Sequence, residues 1–344
     1  MTLGLIARAD HSGLGVQTRE FARHLKPDHI LVIDVSHLAN RTDHCNKQTD
    51  LDIYPNAIIC TGWQPSRGTL RDFADACDTI FSAETFYSDQ LPGIARLHHC
   101  RTILQPNFEF LRPWTTPDLY TVPSPWRYDE IPGTKTLLPV PIATDRFTPR
   151  QHDAVATHFI HIAGRPAIHD RNGTTDLLAA LAHVTNNITV TIHCQNPDHI
   201  TQLTEAHPIP VNVTLQLDTT DHENYWNLYD HGDVLIMPRR YGGLCLPANE
   251  ALGAGMPVIM TDISPNYTWL PMDWLIPSRH VGVFPSGTAQ ISIHQADPIA
   301  LAAKIDQFAT EPEFYATARK ITHQLAHDYS WTTLKPTYQE IIGC

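Results

Sequence analysis

Two open α/β sheets in tandem, each parallel and wound on both faces by helices, are the fold that this sequence predicts, and three observations carry the prediction. Apolar runs of strand length alternate with segments whose apolar residues recur every three or four positions. The alternation starts twice, at residue 3 and again at residue 158. The 344 residues suffice for two cores of about 150 residues each. In the first half the strands are "LGLIARA" (3–9), "HILVIDV" (29–35), "AIICTG" (57–62), "TIFSAE" (79–84) and "RTILQP" (101–106), with helical patterns such as "LGVQTREFARHL" and "TLRDFADAC" between them. In the second half they are "HFIHIAG" (158–164), "ITVTIHC" (188–194), "VNVTLQL" (211–217), "VLIMP" (234–238) and "PVIMTD" (257–262), separated by helices such as "TTDLLAALAHV" and "ENYWNLYDH". Strand and helix in alternation argue for a helix-covered parallel sheet. The connection "LLPVPIATDRFTPR", with prolines at 139, 141 and 149, reads as extended chain and sets the boundary near residue 145. Domains are therefore expected at 1–145 and 146–325, with the helix of 326–344 packing back on the first. Two such sheets facing one another form a ligand cleft at their carboxyl ends.

Composition narrows the class. A hydrophobic content of 42% without repeats or low-complexity tracts describes a soluble globular chain. The opening "MTLGLIARADHSGLG" has too short an apolar run for a signal peptide, and nowhere do about 18 uncharged apolar residues run together, so a cytoplasmic protein without a membrane partner is expected. The seven cysteines include no CxxC pair and read as reduced thiols. The 21 histidines include "LHHC" (97–100) and "IHC" (192–194) but no HExxH spacing, and no metal centre is expected. Charge is uneven: residues 1–150 hold 15 Lys and Arg against 17 Asp and Glu, and residues 151–344 hold 9 against 19. Only the first half has enough arginine for a basic face.

In the first half, "ARADHSGLGVQTREF" puts Gly13, Leu14 and Gly15 between a strand and its helix. Glycines there let backbone N–H groups approach a diphosphate at the positive end of a helix. Asp34 closes the next strand about 20 residues on, the spacing of a nicotinamide dehydrogenase's ribose-binding acid. Against that reading, Thr18 stands where the third glycine belongs and Arg8 to Ser12 lengthen the turn. A glycine turn without a ligand is the plain alternative. In the second half, Arg165 follows the first strand directly and Arg171 precedes a helix. Two guanidiniums at a strand's carboxyl end suit a diphosphate, because each forks to phosphate oxygens and keeps its charge. A surface ion pair, for example with Asp170, is the alternative. The segment "MPRRYGGLCLPANEALGAGMPVIMTD" (237–262) reads as strand, glycine turn, helix and strand. Its helix begins around Gly243 and Leu244, and Glu250 lies well inside it. A carboxylate near a nucleotide is repelled by the phosphates, so it must face a part rich in donors such as a ribose diol. A solvated helix residue is the alternative.

Together these segments resemble the GT-B glycosyltransferases of family 4, a retaining group that uses activated nucleotide sugars. The resemblance is clearest over residues 134–342, in "VPIATDRFTP", in the turn holding Arg165 and Arg171, in "DHGDVLIMPRRYGGLCLPANEALGAGMPVIMTD" and in the closing "YSW" and "YQEI". It continues faintly through "GLGVQTREFARHL", "DTIFSAETFYSD", "TILQPNFEF" and "LYTVPSPW". The resemblance implies a GT-B architecture, with Arg165 and Arg171 holding the diphosphate of a UDP- or GDP-sugar and neutralising its departure. It also implies Glu250 on the ribose, the N–H groups near Gly243 and Leu244 on sugar or phosphate, and Gly13 to Gly15 closing over the diphosphate. The family's sugar-contacting glutamate, eight positions before Glu250, is Gly242 here. Arg239, Arg240 or Tyr241 would serve instead, or the transferred sugar lacks the hydroxyl concerned. On the acceptor side, where the family has a histidine, this chain offers Glu84, Asn107 or Glu109, with Asp10 and His11 as further candidates. No cofactor or metal ion is implied, and "DLD" (50–52) is read as a solvated loop.

The acceptor has the least support. The opening segment and "PRRYGGLCLPANEAL" resemble glycosyltransferases of bacteriophages, which implies a hydroxymethylated pyrimidine in DNA, with a cell-envelope glycan or small molecule second. An arginine-bearing first half suits a polyanion, although solvated helix faces explain it equally. A nicotinamide oxidoreductase, and a sugar-nucleotide-binding protein left inactive by Gly242, are the readings from other classes.

Overall fold

The computed structural model describes residues 1–36, 50–108, 111–112, 115–148, 152–164, 170–220, 222–286 and 289–343. It divides into two units. The first comprises Met1–Pro141, Ser286–Ala289 and Trp331–Cys344, and the second Ile142–Pro285 and Gln290–Ser330.

The first unit is built on β1 (Leu3–Ala7), β2 (His29–Asp34), β3 (Ile58–Thr61), β4 (Thr79–Glu84), β5 (Arg101–Pro106), β6 (Leu119–Val122) and β7 (Lys135–Leu137). They form one parallel sheet in the order β3-β2-β1-β4-β5-β6-β7. All five residues of β1 are buried, as a central parallel strand covered on both faces requires. Helices α1 (Gly13–Leu25), α2 (Arg67–Asp75) and α3 (Leu91–Leu97) connect the strands. Helix α1 begins where the Ser12 side chain accepts a hydrogen bond from the Gly15 amide, buries Phe21 and Leu25, and stops at Lys26 in the left-handed conformation.

The second unit repeats the scheme with β8 (His158–Gly164), β9 (Ile188–Cys194), β10 (Val213–Asp218), β11 (Val234–Met237), β12 (Val258–Thr261) and β13 (Leu275–Ile276). Their order is β10-β9-β8-β11-β12-β13, again parallel. A separate two-stranded sheet pairs β14 (Ser278–Ser286) with β15 (Ala289–Ala296). Helices α4 (Thr174–Leu181), α5 (Pro197–Ala206), α6 (Leu246–Gly253), α7 (Pro298–Thr310) and α8 (Pro312–Asp328) follow in chain order. The segment "ENYWNLYDH", expected as a helix, forms only a short 3-10 turn at Tyr225–Tyr229. Its aromatic and Asn residues are weak helix formers, and Asn224 offers no side-chain cap.

The last helix, α9 (Trp331–Ile342), belongs to the first unit. Trp331 and Tyr338 are buried beside Phe21 of α1, with ring centroids 5.6 Å from it. The Tyr338 hydroxyl donates to the Pro139 carbonyl (2.9 Å) and accepts from the Gln105 amide (2.9 Å). No described helix is long and apolar enough to cross a membrane.

In each sheet the strand order reverses once, between β1 and β4 and between β8 and β11. Chain segments leaving two such neighbouring strands diverge to opposite faces, which opens a crevice at the strands' carboxyl ends. Replacing Trp331 with alanine is expected to cost about 3–5 kcal/mol of folding stability, as for other buried large aromatics, and urea unfolding will measure it.

Candidate functional site

The crevice of the second unit lies between the segments that follow β8 and β11. Arg165 falls outside the described residues. Arg171 follows Asp170, which has a positive φ of 49°, and its backbone carbonyl accepts from the Arg240 amide (2.9 Å), tying the two segments together. Helix α4 is closed internally, because the Asp170 carboxylate accepts from the amides of Thr174 (3.0 Å) and Thr175 (2.8 Å). Asp170, offered as an ion-pair partner on sequence, is thus the helix cap. Beneath it, fully buried His161 bridges the Ile236 carbonyl (2.8 Å) and the Thr174 hydroxyl (2.9 Å). Burial pushes its imidazole below the usual pKa, so it stays neutral.

The segment after β11 turns at Gly242, whose φ of +111° disfavours any residue with a Cβ. A Cβ placed there would stand 2.6 Å from Nη2 of Arg171 and 2.7 Å from Nη2 of Arg239. The two guanidiniums therefore converge over the glycine. Arg239 is only 5% exposed; its Nη1 donates to the Leu244 carbonyl (2.6 Å), its Nε has no hydrogen-bond partner, and no carboxylate pairs with it among the described residues. Arg171 also lies over the Tyr241 ring, 5.5 Å from its centroid, and Tyr241 packs edge-on against Phe284. The N–H groups of Gly243 and Leu244 donate to no acceptor among the described residues, and α6, unlike α4, has no side-chain cap. An uncapped helix start and two guanidiniums make a ready anion site.

Two other predicted residues have well-defined surroundings. Arg240 points away from Gly242: its Nε lies 3.2 Å from the His294 carbonyl and 3.4 Å from the buried Asp176 carboxylate. Burial pushes the Asp176 carboxyl up to about 6, against the pull of Arg240 and of the Ala296 amide. Half-buried Glu250, on α6, accepts a 2.6 Å hydrogen bond from the Tyr229 hydroxyl. Sequence reasoning missed Tyr229 and Asp176, which lie on elements with no local motif; the one signal for Asp176 was its acidic side chain inside an otherwise apolar helix.

In the first unit, the β1–α1 turn is held by its own side chains. Buried Asp10 pairs with the Arg8 guanidinium and accepts from the Ser12 hydroxyl and amide. Gly15 is buried, and a Cβ on it would overlap the Asp10 carbonyl oxygen, so glycine lets the first turn of α1 seat on the loop. Gly13 is exposed, and Leu14 and His11 are half-buried. Thr18, at the third glycine position of a dinucleotide fingerprint, is buried and uses its hydroxyl on the Arg8 amide (3.1 Å). Asp34 accepts from the Ser36 amide (2.9 Å). At the end of β4, Glu84 has a positive φ of 67° and accepts from the Asn107 side chain (3.3 Å). Burial, then the neighbouring Glu84, pushes the Tyr87 phenol well above its usual range. Glu109 lies outside the described residues.

Comparison with known proteins gives this arrangement its context. Residues 166–324 match the family model described as glycosyl transferases group 1. The chain carries a glycosyl transferases group 1 domain over these residues and has the GT-B fold. Sucrose-phosphate synthase from Thermosynechococcus elongatus is similar in structure, with a TM-score of 0.68 at 17% identity over 99% of this chain and 98% of that one. HepE from Anabaena, solved with UDP and glucose, has a TM-score of 0.69 at 11% identity over 100% and 99%. The lipopolysaccharide outer core galactosyltransferase WaaB has a TM-score of 0.65 at 11% identity over 100% and 99%. At these identities the likeness is one of fold. A search of curated proteins found no match. The group 1 domain makes glycosyl transfer the activity to which the chain's second unit points.

Two outcomes follow from the site. Gly242→Ala is expected to cost about 1–3 kcal/mol of backbone strain and to push the guanidiniums apart; thermal melts and calorimetric titration with UDP or GDP will show lower stability and weaker binding. Because the folded Asp176 carboxyl titrates near 6, above its ordinary 3.8, the folded state holds the extra proton between these values. That contribution to stability is complete below the ordinary pKa and disappears as pH rises through about 6. The decline in unfolding free energy from acid to neutral pH should be shallower in Asp176→Asn than in the unaltered protein.

Proposed function

We propose that the protein is a retaining glycosyltransferase that moves a sugar from a UDP- or GDP-sugar to an acceptor hydroxyl. The observation that carries this reading is the convergence of Arg171 and Arg239 over Gly242, beside the uncapped start of α6. The donor diphosphate lies against these guanidiniums and the N–H groups of Gly243 and Leu244, with Arg165 as a further ligand. Glu250, oriented by Tyr229, accepts from the ribose hydroxyls. As the bond to the sugar lengthens, negative charge grows on the leaving phosphate, and fixed positive groups stabilise that charge more than the ground state. The acceptor hydroxyl enters on the face the diphosphate leaves and passes its proton to a departing phosphate oxygen, so configuration is retained. Glu84 and Asn107 at the end of β4 and β5, with Asp10, His11 and Glu109, are assigned to the acceptor side, and Gly13 to Gly15 to closure over the donor.

Arg239 takes the place of the carboxylate that Gly242 lacks. The sequence alternatives fare differently. Arg240 is committed to Asp176 and the His294 carbonyl, whereas Arg239 borders the glycine directly. The dinucleotide reading is disfavoured by Thr18, a buried side chain bonded to the Arg8 and Leu14 backbone where the fingerprint's third glycine would let helix and strand approach closely. For the acceptor, a hydroxymethylated pyrimidine in DNA is the leading assignment, supported by the arginines of the first half and by the resemblance of the opening segment.

Incubating the protein with UDP- and GDP-sugars and hydroxymethylated DNA should add a hexose or pentose to the modified nucleosides, read by mass spectrometry, and NMR of the product should show the donor's anomeric configuration. Sugar on a lipopolysaccharide core instead would replace the DNA assignment, and an inverted anomer would end the retaining one. Arg171→Ala and Arg239→Ala should each weaken nucleotide-sugar binding about 10- to 100-fold, the value of a charge-assisted hydrogen bond. Unchanged binding in both would show that the diphosphate lies elsewhere.

A further inference from the structure

Away from the donor residues, three potential metal ligands from the second unit meet at the edge of its sheet. His193 is on β9, Asp218 ends β10 directly opposite it in the parallel register, and His222 follows four residues later. Nδ1 of His193 lies 3.0 Å, and Nε2 of His222 2.9 Å, from the same Asp218 oxygen, Oδ2. All three ligand atoms fall within 4.8 Å of one another. The cluster borders a cavity of about 740 Å³ that is also lined by His158, Asp230 and His231.

The His193 contact is not an ordinary hydrogen bond. Its imidazole is 9% exposed, and the buried Nδ1 finds no partner of acceptable geometry even with Oδ2 3.0 Å away. The nitrogen is therefore close to the oxygen without being aligned on it. Ligands around a tetrahedral ion with bonds of about 2.0–2.1 Å stand about 3.3 Å apart, and the two nitrogen-to-carboxylate distances of 3.0 and 2.9 Å are close to that. The set is also oriented from behind: the Thr220 amide donates to Asp218 Oδ1 (2.8 Å), and the Leu228 carbonyl faces the His193 ring.

We infer that His193, Asp218 and His222 bind a divalent transition cation, Zn²⁺ by the chemistry of two imidazoles and a carboxylate, with the fourth position open to the cavity. The site is independent of the donor residues and takes no part in the transfer step. It fastens the segment ahead of the Tyr225–Tyr229 turn, and that turn carries the tyrosine that holds Glu250. The cation is thus a structural clamp one element removed from the nucleotide site.

The full-length, tag-free protein, stripped with chelator and desalted, is titrated with Zn²⁺ and separately with Co²⁺. About one equivalent of Zn²⁺ should be retained after desalting, by elemental mass spectrometry, with a rise in Tm, as expected when a cation binds the folded state alone. Co²⁺ should give the visible absorption of a low-coordinate nitrogen and oxygen site. His222→Ala and the isosteric Asp218→Asn should each weaken Zn²⁺ binding at least about 10-fold, whereas His98→Ala, which alters an exposed His–Asp pair elsewhere, should not. Absence of retained metal and of any Tm response in the unaltered protein would overturn the inference, leaving a hydrogen-bonded histidine–aspartate cluster. Equal retention in Asp218→Asn and the unaltered protein would overturn it as well. None of these readouts uses sugar transfer, so they stand apart from the proposed activity.

Discussion

A guanidinium keeps its charge at any pH a folded protein meets, so burying one without a carboxylate is costly, by several kcal/mol after relaxation. Among the described residues Arg239 is in that position, and the arrangement of the crevice after β11 follows from it. The Leu244 carbonyl supplies one oxygen, Gly242 leaves room by having no side chain, and the rest of the positive charge is directed where Arg171 also points. A side chain at residue 242 would meet both guanidiniums and an unfavourable backbone angle together. Glycine at this position and arginine at 239 are therefore one feature, and neither is explained without the other.

The helix starts divide the same labour. Helix α1 is capped by Ser12 and α4 by Asp170, so their first amides are spent inside the protein. Helix α6 begins at Leu246 after Cys245, which offers no capping side chain, and among the described residues the preceding glycine turn leaves two N–H groups without acceptors. A stable protein tolerates such donors where water or a ligand reaches them. Arginines are sorted likewise. Arg240 binds Asp176, whose carboxyl burial raises to about 6, and so serves the packing of α4 against β15; its neighbour Arg239 serves the crevice.

Much of the fold was legible because parallel strands buried on both faces are written as unbroken apolar runs. Both central strands, β1 and β8, and their neighbours could be read that way. The short strands β6, β7 and β13 could not, since three or four residues carry no periodicity to read. The turn at Tyr225–Tyr229 looked helical from its spacing, but its residues cannot sustain a helix unaided. Site residues within one contiguous segment, such as Arg240 to Leu244 and Glu250, stood out because one motif contains them. Tyr229 and the His193, Asp218 and His222 cluster did not, because their members are joined only by strand register and packing.

The sequence alone determined that the chain forms two parallel α/β sheets and that glycine, arginine and glutamate gather after one strand of the second. Hydrophobic periodicity and backbone preference are local properties, and they survive in a string of letters. Only the tertiary structure decided which arginine faces the crevice and which is locked in a pair, which helix start is already capped, and which histidines meet a carboxylate. Those outcomes depend on distances of about 3 Å between residues far apart in the chain, and nothing shorter than the folded sheet brings them together.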